Sequence, residues 1–258
     1  MTTTAHPVSV RWRAGAIIAR KALVALSGAF LAIFVLGHAA GNLQIFLGPE
    51  QINRYAWHLH SLPYGLIWVV RALVVGAILI HVGQAARLHA RNRRARGRGY
   101  GQDRYLAATT ASRRMLLGGA AILLFLIWHI LHFTTQSLTD FSDLPLWTLK
   151  GTGDLPGETV TNVYAMMYRG FSDPLTSVLY VAAVAILTLH LSHGVASIFH
   201  SIGWRNAAWA PRLARVARLY GLAVFLGLGS IPLAVLADAH LGVPIFDRTA
   251  IEPDAEAR

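Results

Sequence analysis

Six histidines sit inside long apolar stretches of this chain: His38, His81, His129, His132, His190 and His193. An ionisable ring is costly in hydrocarbon, so an intramembrane histidine marks a functional site by default. Neutral imidazole is a metal ligand, and histidine is a standard axial ligand of haem iron. The chemistry that these residues could support is therefore metal or haem binding, provided that the fold pairs them across helices.

The elements that must position them are transmembrane helices. The chain has 258 residues, of which 55% are hydrophobic and only 14% charged, with mean hydropathy +0.48. A soluble domain of this size carries more surface charge. The apolar residues gather into runs long enough to cross a bilayer, for which roughly 20 residues suffice. The expected fold is a single all-α membrane domain over residues 1–258. Its five spans lie near 17–47, 62–86, 115–136, 175–199 and 213–236. The first is too long for the core of a signal peptide and reads as a retained helix. Pro232, near the end of the fifth, is expected to bend or fray it.

There is no cysteine. That excludes disulfides, thiolate-bound iron–sulfur clusters and covalent c-type haem attachment within the chain. No phosphate-binding glycine loop or dinucleotide fingerprint follows a strand pattern. The net charge of +11 does not point to nucleic acid, because the basic residues flank apolar runs and lack interleaved stacking aromatics.

Their distribution sets an orientation instead. Arg11, Arg13, Arg20 and Lys21 lie before or in the first turns of the first span, nine arginines from Arg87 to Arg114 separate the second from the third, and Arg205, Arg212, Arg215 and Arg218 lie before or in the first turns of the fifth. That one side holds 17 of the 23 basic residues, whereas every acidic residue but Asp103 lies on the other side or at its membrane edge. The positive-inside rule puts the N-terminus in the cytoplasm and the C-terminus outside. The Gly- and Arg-rich loop 91–104 reads as a solvated topogenic loop or as part of a docking face for cytoplasmic subunits. The outer loop 137–173 reads as structured, and the tail 247–258 as polar and mobile.

Depth sorts the histidines. With a rise of about 1.5 Å per residue, His38 lies roughly 6 Å and His129 roughly 8 Å to the outer side of the membrane centre. His81 and His190 lie roughly 9 Å and 8 Å to the inner side. An outer pair, His38 with His129, and an inner pair, His81 with His190, are thus expected about 15 Å apart. Two bis-histidine haems stacked in a four-helix core need such an arrangement. A single intramembrane histidine could equally be a satisfied packing residue, but four at paired depths are not explained in that way.

His132 and His193 each follow a paired histidine by three residues on the same helix face and stand as alternative ligands or propionate partners. Ser27 and Gly28 fall near the level of the inner pair. Gly37 and Gly41 flank His38, with Gly76 and Gly118–Gly119 on other spans; they serve close helix packing or leave room for a flat macrocycle. Arg71, inside the second span, either snorkels to the outer interface or neutralises a propionate or quinone oxygen. Arg169, just before the fourth span, is a further candidate for an outer propionate, and Ser27 for an inner one.

The segment Ser27-Gly28-Ala29-Phe30-Leu31-Ala32-Ile33-Phe34-Val35-Leu36-Gly37-His38-Ala39-Ala40-Gly41-Asn42 resembles the first-helix motif of the diheme cytochrome b anchor of succinate:quinone oxidoreductases (succinate dehydrogenase and fumarate reductase). Tyr55 to Pro63 with Arg71 and His81 is similar to the second-helix region, and Phe125 to Phe133 to the third. The stretch from Val178-Leu179-Tyr180 through His190-Leu191-Ser192-His193-Gly194 is the most specific part of the likeness, which covers residues 16–236. The resemblance implies five helices holding two haems b, with ligands at His38, His81, His129 and His190. It implies a flavoprotein and an iron–sulfur subunit on the cytoplasmic side, in a bacterial cytoplasmic membrane. Electrons would pass from the iron–sulfur subunit through the inner and outer haems to a quinone, in this branch usually menaquinone. Glu50 and His60 are candidates for quinone proton transfer beside His58, with Tyr55 as a hydrogen-bond donor. Other readings are an anchor of a different respiratory dehydrogenase, a histidine-based metal or proton transporter, and a haem-free assembly anchor.

Overall fold

The computed structural model describes residues 7–95, 110–151, 157–201, 203–204 and 206–251. Of the Gly- and Arg-rich loop 91–104, residues 91–95 continue the preceding helix and 96–104 lie outside the described residues. Of the tail 247–258, expected to be mobile, residues 248–250 form a short turn with Ala250 and Ile251 buried, and 252–258 lie outside the described residues. The protein is 81% helical. Its helices are α1 (Pro7–Asn42), α2 (Pro49–His60), α3 (Leu66–Ala95), α4 (Thr110–His129), α5 (Val163–Ser172), α6 (Pro174–Ser201) and α7 (Ala210–Leu241). A two-stranded hairpin pairs β1 (Trp147–Thr148) with β2 (Thr159–Val160), with Trp147 opposite Val160.

Among the described residues five segments are long and apolar enough to span a membrane: Ile17–Leu47, Pro63–Arg94, Met115–Thr134, Pro174–Ser201 and Ala210–Leu241. The chain is an integral multi-pass membrane protein by this measure. Pro232 does not fray the fifth span, which continues as helix to Leu241. Its neighbours Gly229, Ile231 and Val235 are buried with it, and that packing holds the helix past the missing amide proton.

The order of contacts defines a square. α1 packs on α3 and α6, α6 packs on α4, and α4 closes weakly on α3, while α7 lies against α6 and α1 from outside the square. α1 and α4 therefore sit on one diagonal and α3 and α6 on the other, and neither diagonal pair of backbones makes appreciable contact. α3 is the loosest member, with no residue of its hydrophobic window buried. Its apolar surface faces outward along Trp68, Val69, Leu73 and Leu79.

One end of the bundle is closed by a packed cap that the apolar periodicity of the spans did not announce. α2, α5 and the short 3-10 turn Arg248–Ala250 join there around Ile45, Ile52, Tyr164, Met167, Phe171, Ile231 and Phe246. Asn53 and Asn162, both fully buried, fasten it. Asn53 Nδ2 donates to Asn162 Oδ1 at 3.1 Å, Asn162 Nδ2 donates to the Ala250 carbonyl at 2.8 Å, and Asn53 Oδ1 accepts from the Tyr164 amide at 3.1 Å. A buried amide left unpaired costs about 1–3 kcal/mol, so full pairing of the two side chains is what makes their burial tolerable. Asp238, 2% exposed near the end of α7, accepts from Tyr168 Oη at 3.0 Å and is paired with Arg248.

The charge asymmetry follows the same polarity. Among the described residues every carboxylate, from Glu50 to Asp247, lies at the cap end or just beneath it, and Arg87, Arg91, Arg93 and Arg94 end α3 at the opposite end.

Candidate functional site

The four histidines chosen by depth meet in two pairs, one on each diagonal of the square. His38 of α1 and His129 of α4 have ring centroids 5.9 Å apart with planes at 87°. His81 of α3 and His190 of α6 have centroids 6.3 Å apart with planes at 67°. Helices whose backbones barely approach thus bring their imidazoles together on the bundle axis. Tyr180 of α6 bonds to His129, and His190 follows ten residues later on that helix, which sets the two levels about 15 Å apart.

The ring spacing can be tested against a metal centre. An ion held at about 2 Å by one nitrogen of each imidazole places the ring centroids roughly 6.5 Å apart. Both observed separations lie close to that value. Among the described residues no three His, Cys, Asp or Glu side chains converge. The donor sets are therefore two-imidazole sets, which suit the axial positions of a macrocycle-bound iron better than a tetrahedral ion needing three or four protein ligands.

The cap-distal pair is built around α1. His81 Nδ1 lies 3.1 Å from the Val24 carbonyl and 3.4 Å from Ser27 Oγ. Ser27 spends its own proton on the Leu23 carbonyl at 2.6 Å, so His81 Nδ1 carries the hydrogen that these oxygens accept. That leaves the lone pair of His81 Nε2 available to a metal, the usual arrangement of a ligating histidine anchored through its other nitrogen. Ser27 is therefore an anchor of His81. Gly28 permits the close approach, because a Cβ there would stand 3.0 Å from His81 Cε1. His190 Nδ1 is buried without a hydrogen-bond partner, a position that a bound group would complete.

The cap-proximal pair is ringed by aromatics. Phe34 stacks on His38 at 5.8 Å, Phe125 stacks on His129 at 5.9 Å, and Asn42 donates to the His38 carbonyl at 2.8 Å. α4 passes into a π turn at Ile130–Thr134, directly after His129. Such turns recur at functional sites. His132 lies within it and is 3% exposed. Tyr180 Oη is 3.1 Å from Nδ1 of both His129 and His132. Spacing alone did not single out Tyr180; the signal available was a tyrosine six residues after the start of the apolar span Pro174–Ser201.

The remaining expected site residues are dispersed. Arg71 stacks its guanidinium over exposed Trp68 at 4.7 Å, the behaviour of an interfacial anchor. Arg169 is paired with Asp143 on the surface of the cap. Glu50, Tyr55 and His60 are spaced by five residues along α2, which turns each about 140° from the last, so they do not converge. Glu50 is bound by Arg54, by Trp147 Nε1 at 3.1 Å and by the Lys150 amide at 3.2 Å. Partial burial works against ionisation of Glu50, but those hydrogen bonds and the Arg54 charge prevail and hold its carboxyl below the ordinary value. Tyr55 lies flat against α1, its Oη 2.6 Å from where a Cβ on Gly41 would sit. His60 is exposed at the end of α2. Gly41 and Gly28 thus make room for protein rings, while Gly37 and Gly76 face open space.

Comparison with protein-family models, with curated proteins and with solved structures finds no match.

Proposed function

We propose that this chain is the membrane anchor of a succinate:quinone oxidoreductase, binding two haems b at its two histidine pairs and delivering electrons to a quinone. The observation that carries the reading is the pairing of His38 with His129 and of His81 with His190 on crossing diagonals, at 5.9 and 6.3 Å and two distinct depths. Haem bound at each level would supply reversible one-electron chemistry. The protein's part is to hold the rings: Val24 and Ser27 orient His81, and Tyr180 orients His129.

The basic end of the bundle faces the cytoplasm in this reading, where a flavoprotein and an iron–sulfur subunit would dock against the Arg-bearing ends of α3 and α7. The C-terminus lies outside, and the membrane is the bacterial cytoplasmic membrane. The likeness of the His38 and His190 segments to the diheme anchors supports succinate as the electron source, and with it menaquinone as acceptor. Because Glu50 is committed to Arg54, Trp147 and Lys150, exposed His60 is the better candidate for handling quinone protons.

The test is isolation of the chain from its native membrane with its associated subunits, followed by anaerobic addition of succinate. Co-purification of a flavoprotein and an iron–sulfur protein, with reduction of the b-type absorption by succinate, is expected. Reduction by formate or hydrogen and not by succinate would assign the anchor to another dehydrogenase.

A further inference from the structure

The contact of Tyr180 with two histidines at once restricts where protons can sit. A phenol carries one hydrogen to donate and can accept through its oxygen. Tyr180 is 6% exposed and His132 3%. Phe125, Phe171 and Trp128 pack around the tyrosine with ring centroids 5.0, 4.9 and 5.2 Å away. In that apolar cage an unpaired hydroxyl is costly, as are two lone pairs facing each other at 3.1 Å. Both contacts are satisfied only if one imidazole donates its Nδ1–H to Tyr180 Oη while Tyr180 donates its hydroxyl hydrogen to Nδ1 of the other. The two histidines must then be opposite tautomers.

The choice between the two assignments follows from what each ring faces. His129 faces His38 across the bundle. His132 stacks on Trp128 at 5.4 Å and packs against Phe133 at 4.1 Å. With the hydrogen on Nδ1, His129 presents a free Nε2 lone pair to the centre between it and His38. His132 then accepts from Tyr180 at Nδ1 and carries its own hydrogen on Nε2, so it offers no lone pair to a metal.

We propose that Tyr180 and His132 form a directed hydrogen-bond relay, His129 to Tyr180 to His132, that fixes the ligating tautomer of His129. Tyr180 is a positioning residue and His132 the terminal acceptor, not an alternative ligand. Gly170 of α5 lets the cap close over this relay, because a Cβ there would lie 2.6 Å from Phe133 Cε1 and 3.4 Å from His132 Cε1. The inference rests on the bis-histidine reading above. An acceptor on the Nδ1–H of a ligand raises the basicity of that ligand and favours the oxidised metal. Removing it should therefore raise the reduction potential of one centre only.

The experiment is an anaerobic redox titration of the purified full chain, with haem counted per chain, for wild type, Tyr180→Phe, His132→Gln and the control Tyr220→Phe. Tyr220 donates to the Ala32 carbonyl and touches none of these histidines. Two haems per chain are expected in all four proteins. One potential should rise in Tyr180→Phe and also shift in His132→Gln, with the second potential unmoved and both unchanged in the control. If Tyr180→Phe does not accumulate, His132→Gln decides the matter, since it leaves Tyr180 in place. Loss of one haem in His132→Gln would overturn the assignment by making His132 a ligand. Unmoved potentials in both variants would overturn the relay while leaving the histidine pairs intact. Wild-type chain without haem would instead overturn the reading beneath it.

Discussion

His38 and His129 stand 5.9 Å apart, centroid to centroid, although the helices that carry them occupy opposite corners of the bundle. His81 and His190 repeat the arrangement on the other diagonal at 6.3 Å. Packing alone gives no reason for four polar rings to converge on the axis of an apolar bundle, because burying a polar group without full pairing is unfavourable. A group that binds between each pair gives the convergence a purpose.

The glycine beside the inner pair should be sensitive to a single methyl group. In Gly28→Ala the new Cβ would meet His81 Cε1 at 3.0 Å and push the ring off the Val24 carbonyl. Loss of such an anchoring contact typically weakens metal affinity about 10- to 100-fold. Haem retention on dilution should fall for one centre and not for the other. Gly76→Ala, with nothing within 4 Å of the added atom, should leave both centres unchanged.

The cap should be tested through α1. A Cβ at Gly41 would stand 2.6 Å from Tyr55 Oη and 2.9 Å from Tyr55 Cζ, so Gly41→Ala must push α2 away from α1 or turn the ring out. Overpacking of this kind costs about 1–3 kcal/mol. The melting temperature of the detergent-solubilised protein should drop for Gly41→Ala and stay put for Gly37→Ala, which adds its methyl group in open space.

Asp238 is the buried carboxylate that ties α7 to the cap. It accepts from Tyr168 Oη and Arg248 Nε and, at 3.3 Å, from the Ile245 amide. Asp238→Ala removes the carboxylate that accepts from Tyr168 Oη, Arg248 Nε and the Ile245 amide, a loss of about 1–3 kcal/mol. Limited proteolysis near residues 242–251 should accelerate in this variant, and unchanged cleavage would contradict the structural role.

Glu50 makes the cap acid-sensitive. Its carboxyl is held below the ordinary value of 4.5 in the folded protein. The contribution is therefore fully present above that value and fades as pH falls through the lower folded value, because the unfolded chain takes up the proton first. Asp140 and Asp173 are depressed in the same direction, by the hydrogen bonds of Ser142 and Thr176. Acid denaturation of Glu50→Gln should consequently show a weaker pH dependence below about pH 4.5, but not a flat one.

Much of this architecture was legible in the residues, for identifiable reasons. Long apolar runs can only be helices in lipid, since every backbone group must be satisfied internally. The fixed helical rise then turned the positions of His38, His81, His129 and His190 into depths. What stayed hidden was the cap, because Asn53 with Asn162 and Tyr168 with Asp238 join segments 109 and 70 residues apart, and the hairpin at Trp147 and Val160 is too short to leave a strand pattern. The engagement of Glu50 by Trp147, 97 residues away, was invisible for the same reason, and the ring of Tyr55 against Gly41 depends on how α2 folds back on α1. The π turn after His129 also escaped, since it shifts the register of His132 without any sequence mark of its own.

The central claim is best tested by a reduced-minus-oxidised spectrum of the purified chain, with extracted haem counted per polypeptide. Two b-type haems are expected, one lost on replacing either His38 or His129 and the other on replacing either His81 or His190. A freshly isolated, fully assembled protein without haem would contradict the claim, as would loss of the same haem from variants in both pairs.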